Sequence, residues 1–365
     1  MEPAGRRRNS VRVTDELIFA AMSTELSSGG IDALSATGIA RSAGVTVGAI
    51  YSRAESISEL ANTLWVDVIG EPFLTALELV VRSSREDDAA DFDKAIRRFD
   101  TAMRSAAPAI ELVIASLFDP ELDEVVGAEM RRRFTDLIFT ADRSATPVES
   151  ASAVLILSYF CGRAITRCRV SRMPRPGQPG QDALQAFWEV RSGRIAQTEP
   201  AVIEFAREPT SKPHSTIAGA TVDVIARHGF RRGTIARIAR TAGVTPGAVL
   251  STGESKIDLM IRSVDEILLS PREAWDAYVA TRTSVISGSD RASFVAGLLE
   301  PANSTYWRIN LELARLAEKM PEFGRFRTPN DVLQQTHQGV MFVGCFVNDI
   351  HRLPFAVPFR AGSAT

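Results

Sequence analysis

The chain has 365 residues, of which 45% are hydrophobic and 24% charged, and its net charge is −2. This composition is typical of a globular protein large enough for two domains. No stretch of about 18 residues is apolar and uncharged, no signal-peptide core follows the basic start, and the three cysteines form no CxxC pair, so a membrane-spanning or secreted protein is disfavoured. We therefore expect a cytoplasmic protein without a cofactor or metal site.

Apolar side chains recur at a 3.6-residue spacing along the chain, which predicts an all-α protein. Thr14 is the expected N-cap of the first helix, and the pair Gly29-Gly30 ends it. The basic residues before Thr14 then form an N-terminal arm. The predicted helices of the first half cover residues 14–28, 35–42, 46–52, 56–81, 91–105, 108–118, 120–143, 147–170 and 182–195.

Two segments rich in proline interrupt this pattern. Residues 172–181 are a predicted loop, and residues 199–213 are the predicted boundary between two halves. In the second half, Pro246 directly after Thr245 favours a helix start, because proline is tolerated at the first helical position. The predicted helices there cover residues 215–228, 234–241, 245–251, 255 onward, 271–284, 291–299, 303–320 and 329–350.

A duplicated segment is the most specific feature of the sequence. Residues Gly30–Leu60 recur as Gly229–Leu259 at a constant offset of 199 positions, with 14 identities in 31. The shared words IARSAGVT and IARTAGVT have the spacing of two short helices joined by a tight turn. Gly44 and Gly243 fit that turn because glycine adopts a positive φ without steric penalty. The sequence therefore predicts two helix-turn-helix units.

Positive charge is concentrated in the second copy. Residues 211–262 hold eight basic and three acidic side chains, a balance of +5, whereas residues 1–62 hold six and seven, a balance of −1. Segregated positive charge favours phosphate binding, because a solvated surface normally mixes both signs. The second copy is therefore the stronger candidate for binding nucleic acid.

Several residues of the two copies match one known motif. They are Ile39-Ala40, Ala43 to Thr46, Gly48, Tyr51, Ser56 and Leu60 in the first copy, and Ile238-Ala239, Ala242 to Thr245, Gly247, Ser255-Lys256 and Leu259 in the second. This pattern resembles the DNA-binding domain of the TetR family of transcriptional repressors. Because such proteins ordinarily carry one copy and act as homodimers, the chain looks like two fused subunits. The resemblance implies DNA-binding domains at 1–70 and 211–270, followed by helical ligand or dimerisation domains at 71–208 and 271–365.

The resemblance implies double-stranded DNA as a partner. In a helix-turn-helix the second short helix enters the major groove, and its N-terminal amides can bind phosphate. The expected DNA-contacting residues are Arg7, Arg8, Thr46, Val47, Ala49, Tyr51, Arg53, Arg240, Thr245, Pro246, Ala248 and Lys256.

Each copy departs from the family at one expected phosphate-binding position. Ile57 stands where lysine is usual, and Leu250 stands where tyrosine is usual. Such complementary losses suggest divergence after fusion, and we hypothesise that the chain binds an asymmetric operator. The repeated glycines and apolar residues would equally preserve the fold of a copy that no longer binds DNA.

A small, largely apolar effector that releases the repressor is also implied by the resemblance. The candidate pocket residues are Phe118, Leu137, Leu155, Tyr159, Phe160 and Trp188, although core packing explains the same side chains. Aromatic residues of the second half are expected at the interface that replaces a dimer contact: Trp307, Phe323, Phe326, Phe342 and Phe346.

An enzyme and a non-catalytic scaffold are the alternatives to a single-chain repressor. An enzyme is disfavoured, since no HExxH, GxSxG or phosphate-binding glycine loop occurs, and Glu121 and Asp123 are expected on a solvated helix face. The main rival is a degenerate TetR-like scaffold that binds a ligand or partner protein without binding DNA. The sequence leaves open whether the fused chain is a self-sufficient pseudodimer or forms a further homodimer.

Overall fold

The computed structural model of the chain describes residues 4–86, 88–140, 145–169, 201–203, 205, 212–251, 255–282, 293–294, 297–317, 319–326 and 332–347. Within these residues the fold is helical and without β-strands, which confirms the expected all-α class. In the same part of the chain, no helix is both long and apolar enough to cross a bilayer. The predicted loop over 172–181 and the predicted helix over 182–195 lie outside the described residues.

The first half contains most of the predicted helices, with boundaries shifted by a few residues. They are α1 (Ala4–Gly29), α2 (Ala36–Ala43), α3 (Val47–Tyr51), α4 (Ile57–Leu64), α5 (Gly70–Ser83), α6 (Ala89–Ala102), α7 (Ala107–Ser116), α8 (Pro120–Leu122), α9 (Ala128–Phe139) and α10 (Pro147–Arg169). A 3-10 turn over Ile31–Ala33 follows α1. Two π-helical turns join neighbours: Trp65–Ile69 connects α4 to α5, and Asp123–Gly127 connects α8 to α9.

The second half repeats the same opening series of helices. They are α11 (Lys212–Arg232), α12 (Ile235–Ala242), α13 (Pro246–Leu250), α14 (Lys256–Ile267), α15 (Pro271–Ala280), α16 (Ser304–Ala317) and α17 (Val332–Gly344). A 3-10 segment over Pro321–Phe326 follows α16. Only part of the predicted helix over 291–299 falls within the described residues.

The predicted start of the first helix is wrong. Helix α1 begins at Ala4, so Arg7 and Arg8 lie on this helix rather than in an arm that precedes it, and Thr14 is inside the helix. No proline or glycine separates Gly5 from Thr14, and arginine is a good helix former, so nothing in the local sequence stops the helix from continuing toward the N-terminus.

A single hydrophobic core runs through both halves. Buried side chains near the N-terminus, such as Ile18 and Leu60, belong to the same core as Phe134 and Phe342. We call residues 4–64 the first head and residues 212–267 the second head. A separate small cluster in the second head is formed by Ala220, Val224, Ile238, Ala239, Val249 and Leu259. The second head therefore has this cluster in addition to the side chains, such as Ile225 and Met260, that it contributes to the main core.

The two halves pack on each other through α10 and α17. Gly339 on α17 approaches the α10 backbone so closely that a Cβ there would overlap the carbonyl oxygen of Ser158. The rings of Phe342 and Phe346 lie 6.2 Å from the ring of Phe134 on α9. Both residues thus lie at a contact between the halves, as the sequence predicts.

The remaining predicted interface aromatics pack within the second half. The indole of Trp307 donates to the carbonyl of Leu298 at 2.6 Å, and Phe323 packs edge-on against Phe230 at 5.5 Å. Phe326 lies 6.4 Å from Phe323. For these three residues, the contacts described here join elements of one half.

The boundary segment over 199–213 is anchored where it is described. Phe205 is buried and stacks on Tyr306 with a centroid distance of 3.6 Å. Its carbonyl accepts a hydrogen bond from the Leu269 amide at 2.7 Å, and the Ala201 amide donates to Ser293 at 2.9 Å. This part of the boundary therefore belongs to the packed structure of the second half.

Each head contains a glycine whose backbone breaks the path of its first helix. Gly30 follows α1 with φ 74° and ψ −179°, and Gly229 interrupts α11 with φ 70° and ψ 169°. This region of backbone space is essentially restricted to glycine. The two glycines occupy the same position of the repeat, so the duplication preserves a backbone break as well as a turn.

Two glycine substitutions in α11 should act in opposite directions. Gly229→Ala places a side chain at a positive φ and should lower the free energy of unfolding by about 1–3 kcal/mol. Gly219→Ala lies in open space in the helical part of α11 and should raise it by up to about 1 kcal/mol. Urea unfolding followed by circular dichroism measures both. A similar change in both variants would contradict the special role of Gly229.

Candidate nucleic-acid interface

The same hydroxyl caps begin the corresponding helices of the two heads. Ser35 and Thr234 accept the amide protons of Gly38 and Arg237 at 3.1 and 3.3 Å. The third helices begin at Thr46 and Thr245, whose hydroxyls each accept an amide proton at 3.2 Å. Ser56 and Ser255 cap the fourth helices in the same way. Hydroxyl caps satisfy amides that the helix itself leaves unpaired, so they fix where each helix starts.

The turn between the two short helices has the predicted geometry. Gly44 ends α2 with φ 67°, and Gly243 ends α12 with φ 70°. The amide of each glycine donates to carbonyls of the preceding helical turn. This is the pattern of a helix C-cap residue in the left-handed conformation. The two copies therefore form helix-turn-helix units with matched caps and matched turns.

The third helix of each head presents one face to solvent and one to the head. Ile50 and Val249 are 2% and 3% exposed, whereas Tyr51 and Leu250 are 61% and 48% exposed. Ala49 is half-buried. The other predicted contact residues of these helices are exposed: Thr46, Val47, Thr245, Pro246 and Ala248. Each short helix is thus anchored by an interior side chain and offers its N-terminal end to a partner.

Arg53 is held inside the first head. Its guanidinium donates to the Asp15 carboxylate on α1 and, at 2.7 Å, to the Ala49 carbonyl. The structure therefore gives this predicted DNA contact a second role, which is to join the end of α3 to α1.

Lys256 is engaged in a similar way in the second head. Its ammonium donates to the Phe230 carbonyl and lies 4.2 Å from the centroid of the Phe230 ring. Burial lowers the pKa of Lys256, while the charges of Asp32 and Glu312 act in the opposite direction. The side chain fastens the start of α14 to the end of α11.

Ion pairs neutralise part of the positive charge of the second head. Arg227 pairs with Asp223 at 3.1 Å, and Arg232 pairs with Asp119 at 2.9 Å. Arg231 and Arg240 are exposed, and neither makes an ion pair with the described residues. Arg240 lies in the last turn of α12, directly before the turn that leads to α13. Among the predicted cationic contacts with described side chains, Arg53, Lys256 and Arg240, it is the one that no group of its own head engages through an ion pair or a short hydrogen bond.

His228 lies among the arginines of the same head. Its ring nitrogen is 3.3 Å from the Arg237 guanidinium. Burial, followed by the charges of Arg237 and other nearby arginines, lowers the pKa of His228. The neutral imidazole is therefore favoured over the charged form on this surface.

The predicted pocket residues have packing partners in the structure. Phe160 packs on Phe99 with a centroid distance of 4.8 Å, and Tyr159 packs edge-on against Phe160 at 5.1 Å. Phe118 lies beside Gly229 of the second head. The Arg308 guanidinium, on α16, is 5.3 Å from the centroid of the Phe118 ring. Leu137 is buried and Leu155 is half-buried, and Trp188 lies outside the described residues. Core packing, which the sequence allowed as an alternative, accounts for these contacts of Phe118, Tyr159 and Phe160.

Two buried glutamates hold the backbone breaks of the heads, and the sequence interpretation missed both. Glu111 on α7 accepts the Ile31 amide proton at 3.0 Å, and Glu312 on α16 accepts the Phe230 amide proton at 2.7 Å. Ile31 and Phe230 directly follow the two glycines with positive φ. The corresponding amide in each head therefore has a carboxylate partner on a helix outside the heads. We call the helices outside the two heads the helical body.

A short sequence signal for these glutamates exists. Glu111-Leu112 and Pro120-Glu121 recur as Glu312-Leu313 and Pro321-Glu322, at an offset of 201 instead of 199. Because only four of eleven positions match and the offset changes, the longer head repeat does not lead to them. The correspondence nevertheless places the two glutamates at matching positions of this short alignment.

Glu121 and Asp123, which the sequence places on a solvated helix face, are partly exposed and make polar contacts there. Glu121 accepts from the Ser56 hydroxyl at 2.6 Å, and Asp123 pairs with Arg131 at 2.7 Å. Ser56 is the cap of α4, so Glu121 links the first head to the helical body.

No family model matches this chain, and no curated protein matches it in sequence.

Acid should weaken the structure through Glu111 at unusually low pH. Burial alone would raise the pKa of Glu111, but Arg315 and Lys319 outweigh it and bring the pKa down from 4.5 to about 2. Since the unfolded chain takes up this proton first, the stabilisation is complete above about pH 4.5 and is lost as the pH falls toward 2. The shift corresponds to about 3 kcal/mol.

Glu111→Gln tests this expectation. The variant should be about 3 kcal/mol less stable than the wild type at pH 7, because it leaves buried cations with less pairing, and the difference should shrink between pH 4.5 and 2. Denaturant unfolding across this pH range measures the effect. Glu124→Gln, which removes an exposed carboxylate, is the control. A difference between Glu111→Gln and wild type that does not vary with pH would rule out the charged state of Glu111 as its cause.

Proposed function

We propose that this chain is a TetR-like DNA-binding transcriptional regulator that represses transcription as a single-chain pseudodimer. The observation that carries the proposal is the matched geometry of the two heads. Each has a capped short helix with an exposed N-terminal end, placed behind a glycine turn, and such a helix is suited to the major groove. The chain would act in the cytoplasm on double-stranded DNA and would have no catalytic role.

Unequal heads favour an asymmetric operator. Both heads expose an arginine in the last turn of the second helix, Arg41 and Arg240, but the second head adds Arg231, whereas the first adds the exposed ring and hydroxyl of Tyr51. Pro246 begins α13 where Val47 begins α3, so the second head has one fewer N-terminal amide for a phosphate. Two half-sites of different sequence and different salt dependence follow from these differences.

The release of DNA by a small, largely apolar effector is part of the proposal. This element is carried over from the family resemblance and does not depend on the geometry of the heads. Packing between α10 and α17 supports a pseudodimer within one chain, because it buries the kind of helix face that subunits of a dimer would otherwise share. A further pairing of two chains would present four heads.

The rival proposal is a scaffold that has lost DNA binding. The engagement of Arg53 and Lys256 by groups of their own heads favours it, since neither cation is free to approach a phosphate without breaking those contacts. Binding to DNA separates the two proposals, because phosphate contacts make the affinity fall steeply as salt rises, whereas a scaffold binds no DNA.

Selection of duplexes from a random DNA pool tests the proposal. The wild type should enrich one site with unequal half-sites. Arg240→Ala should weaken binding to that site about tenfold and reduce the salt dependence by about one phosphate contact. Arg98→Ala removes an equally exposed charge from α6, outside both heads, and should change neither.

The outcomes have distinct meanings. Failure to enrich any site at low salt, with or without candidate apolar effectors, would favour the scaffold. Enrichment of two equal inverted half-sites would retain DNA binding but contradict the asymmetric operator.

A further inference from the structure

A buried ion cluster connects the two heads through one arginine. Arg315 on α16 has a side chain that is 5% exposed. It donates to Glu312 on its own helix at 2.7 Å, to Glu111 on α7 at 2.9 Å, and to Asp32 in the first head at 2.6 Å. Lys319 adds a second cation, 2.9 Å from Glu111.

The carboxylates of this cluster are the groups that hold the heads. Glu111 receives the Ile31 amide of the first head, and Glu312 receives the Phe230 amide of the second. The Arg315 guanidinium bonds to both glutamates at once. In each head, one carboxylate therefore links a backbone amide to the guanidinium group of Arg315.

A second link joins the heads a short distance along the chain from Glu111. Asp119 caps α8 and accepts the Ser58 hydroxyl of α4 at 3.0 Å. The same carboxylate oxygen lies 2.9 Å from the Arg232 guanidinium of the second head. This link is more exposed than the Arg315 cluster, so it reinforces the position of the second head without fixing it alone.

A contribution to folding stability does not explain well why an arginine is buried at position 315. Moving charges out of water is so costly that a buried ion cluster often stabilises no better than apolar side chains of similar size. An arginine among carboxylates instead fixes geometry, because its planar guanidinium has five donors in set directions. At the corresponding position of the first half, the offset of 201 places Ile114.

We propose that Arg315 is a positioning residue that sets the distance and orientation between the two heads, and thereby the spacing of the DNA half-sites that the chain accepts. The second part rests on the proposed function. One inserted base pair rotates a half-site by about 34° and shifts it by about 3.4 Å. Heads held by Arg315 cannot follow such a change, whereas heads on independent tethers can.

The distance between the heads can be measured without DNA. Nitroxide labels at Ser52→Cys and Ser251→Cys occupy equivalent, exposed positions after α3 and α13. Pulsed electron spin resonance should give one narrow distance distribution for the wild-type pair. Labelling of the unsubstituted protein measures the background from Cys161, Cys168 and Cys345.

Arg315→Lys keeps the charge but loses the planar fork. We expect a distance distribution at least twice as broad as that of the wild type, with a cooperative thermal transition retained. Arg131→Lys is the matched control, because Arg131 pairs with Asp123 at the surface and both residues lie outside the two heads. An unchanged distribution in Arg315→Lys would overturn the proposal, and a broad distribution in the wild type would do so whether or not the variant folds.

Spacing variants of the selected site complete the test. The wild type should lose at least tenfold in affinity when one or two base pairs are inserted between the half-sites, and Arg315→Lys should discriminate less among spacings. A merely structural role would lower its affinity for every spacing alike, which would count against the proposal. A narrow wild-type distribution that broadens in Arg315→Lys, without any selected DNA, would support the positioning role and contradict the proposed function.

Discussion

A glycine with positive φ at the end of the first helical segment of each head is the constraint on which the arrangement depends. Gly30 and Gly229 redirect the chain so that the next amide points into the helical body. Such an amide needs a buried acceptor, and Glu111 and Glu312 supply one each. Two buried carboxylates then need a cation, which is Arg315. The connection between the heads follows from a backbone conformation that only glycine adopts easily.

Polar contacts therefore connect the heads to the helical body, in addition to the apolar core that they share. The first head shares that core, so its position is also fixed by packing. The second head contributes side chains such as Ile225 and Met260 to the same core, has a small cluster of its own, and is also bonded to Glu312, Asp119 and Arg308. Arg308 donates to the Ala226 carbonyl of the second head and to the Leu117 carbonyl of the first half.

Local features of the heads could be predicted from the sequence, and distant contacts could not. Thr46, Thr245 and Gly44 have structural roles that depend on residues within one turn, and the structure confirms those roles. The hydrogen bonds of Lys256 to Phe230 and of Arg53 to Asp15 form only in the folded chain, so the motif alone does not predict them. The bond between Arg315 and Glu111 spans 204 positions, and the position of Arg315 holds Ile114 in the other copy.

A single chain allows unlike partners at positions that a homodimer would have to share. Arg315 and Lys319 correspond to Ile114 and Phe118, and Asp32 corresponds to Arg231. In a symmetric dimer each of these residues would occur twice, so a second Arg315 would need its own carboxylates beside the first. Here one half supplies the two cations and the other supplies Asp32 and Glu111. The divergence of the copies outside the third helices of the heads thus has a physical use, since a single asymmetric cluster can hold both heads.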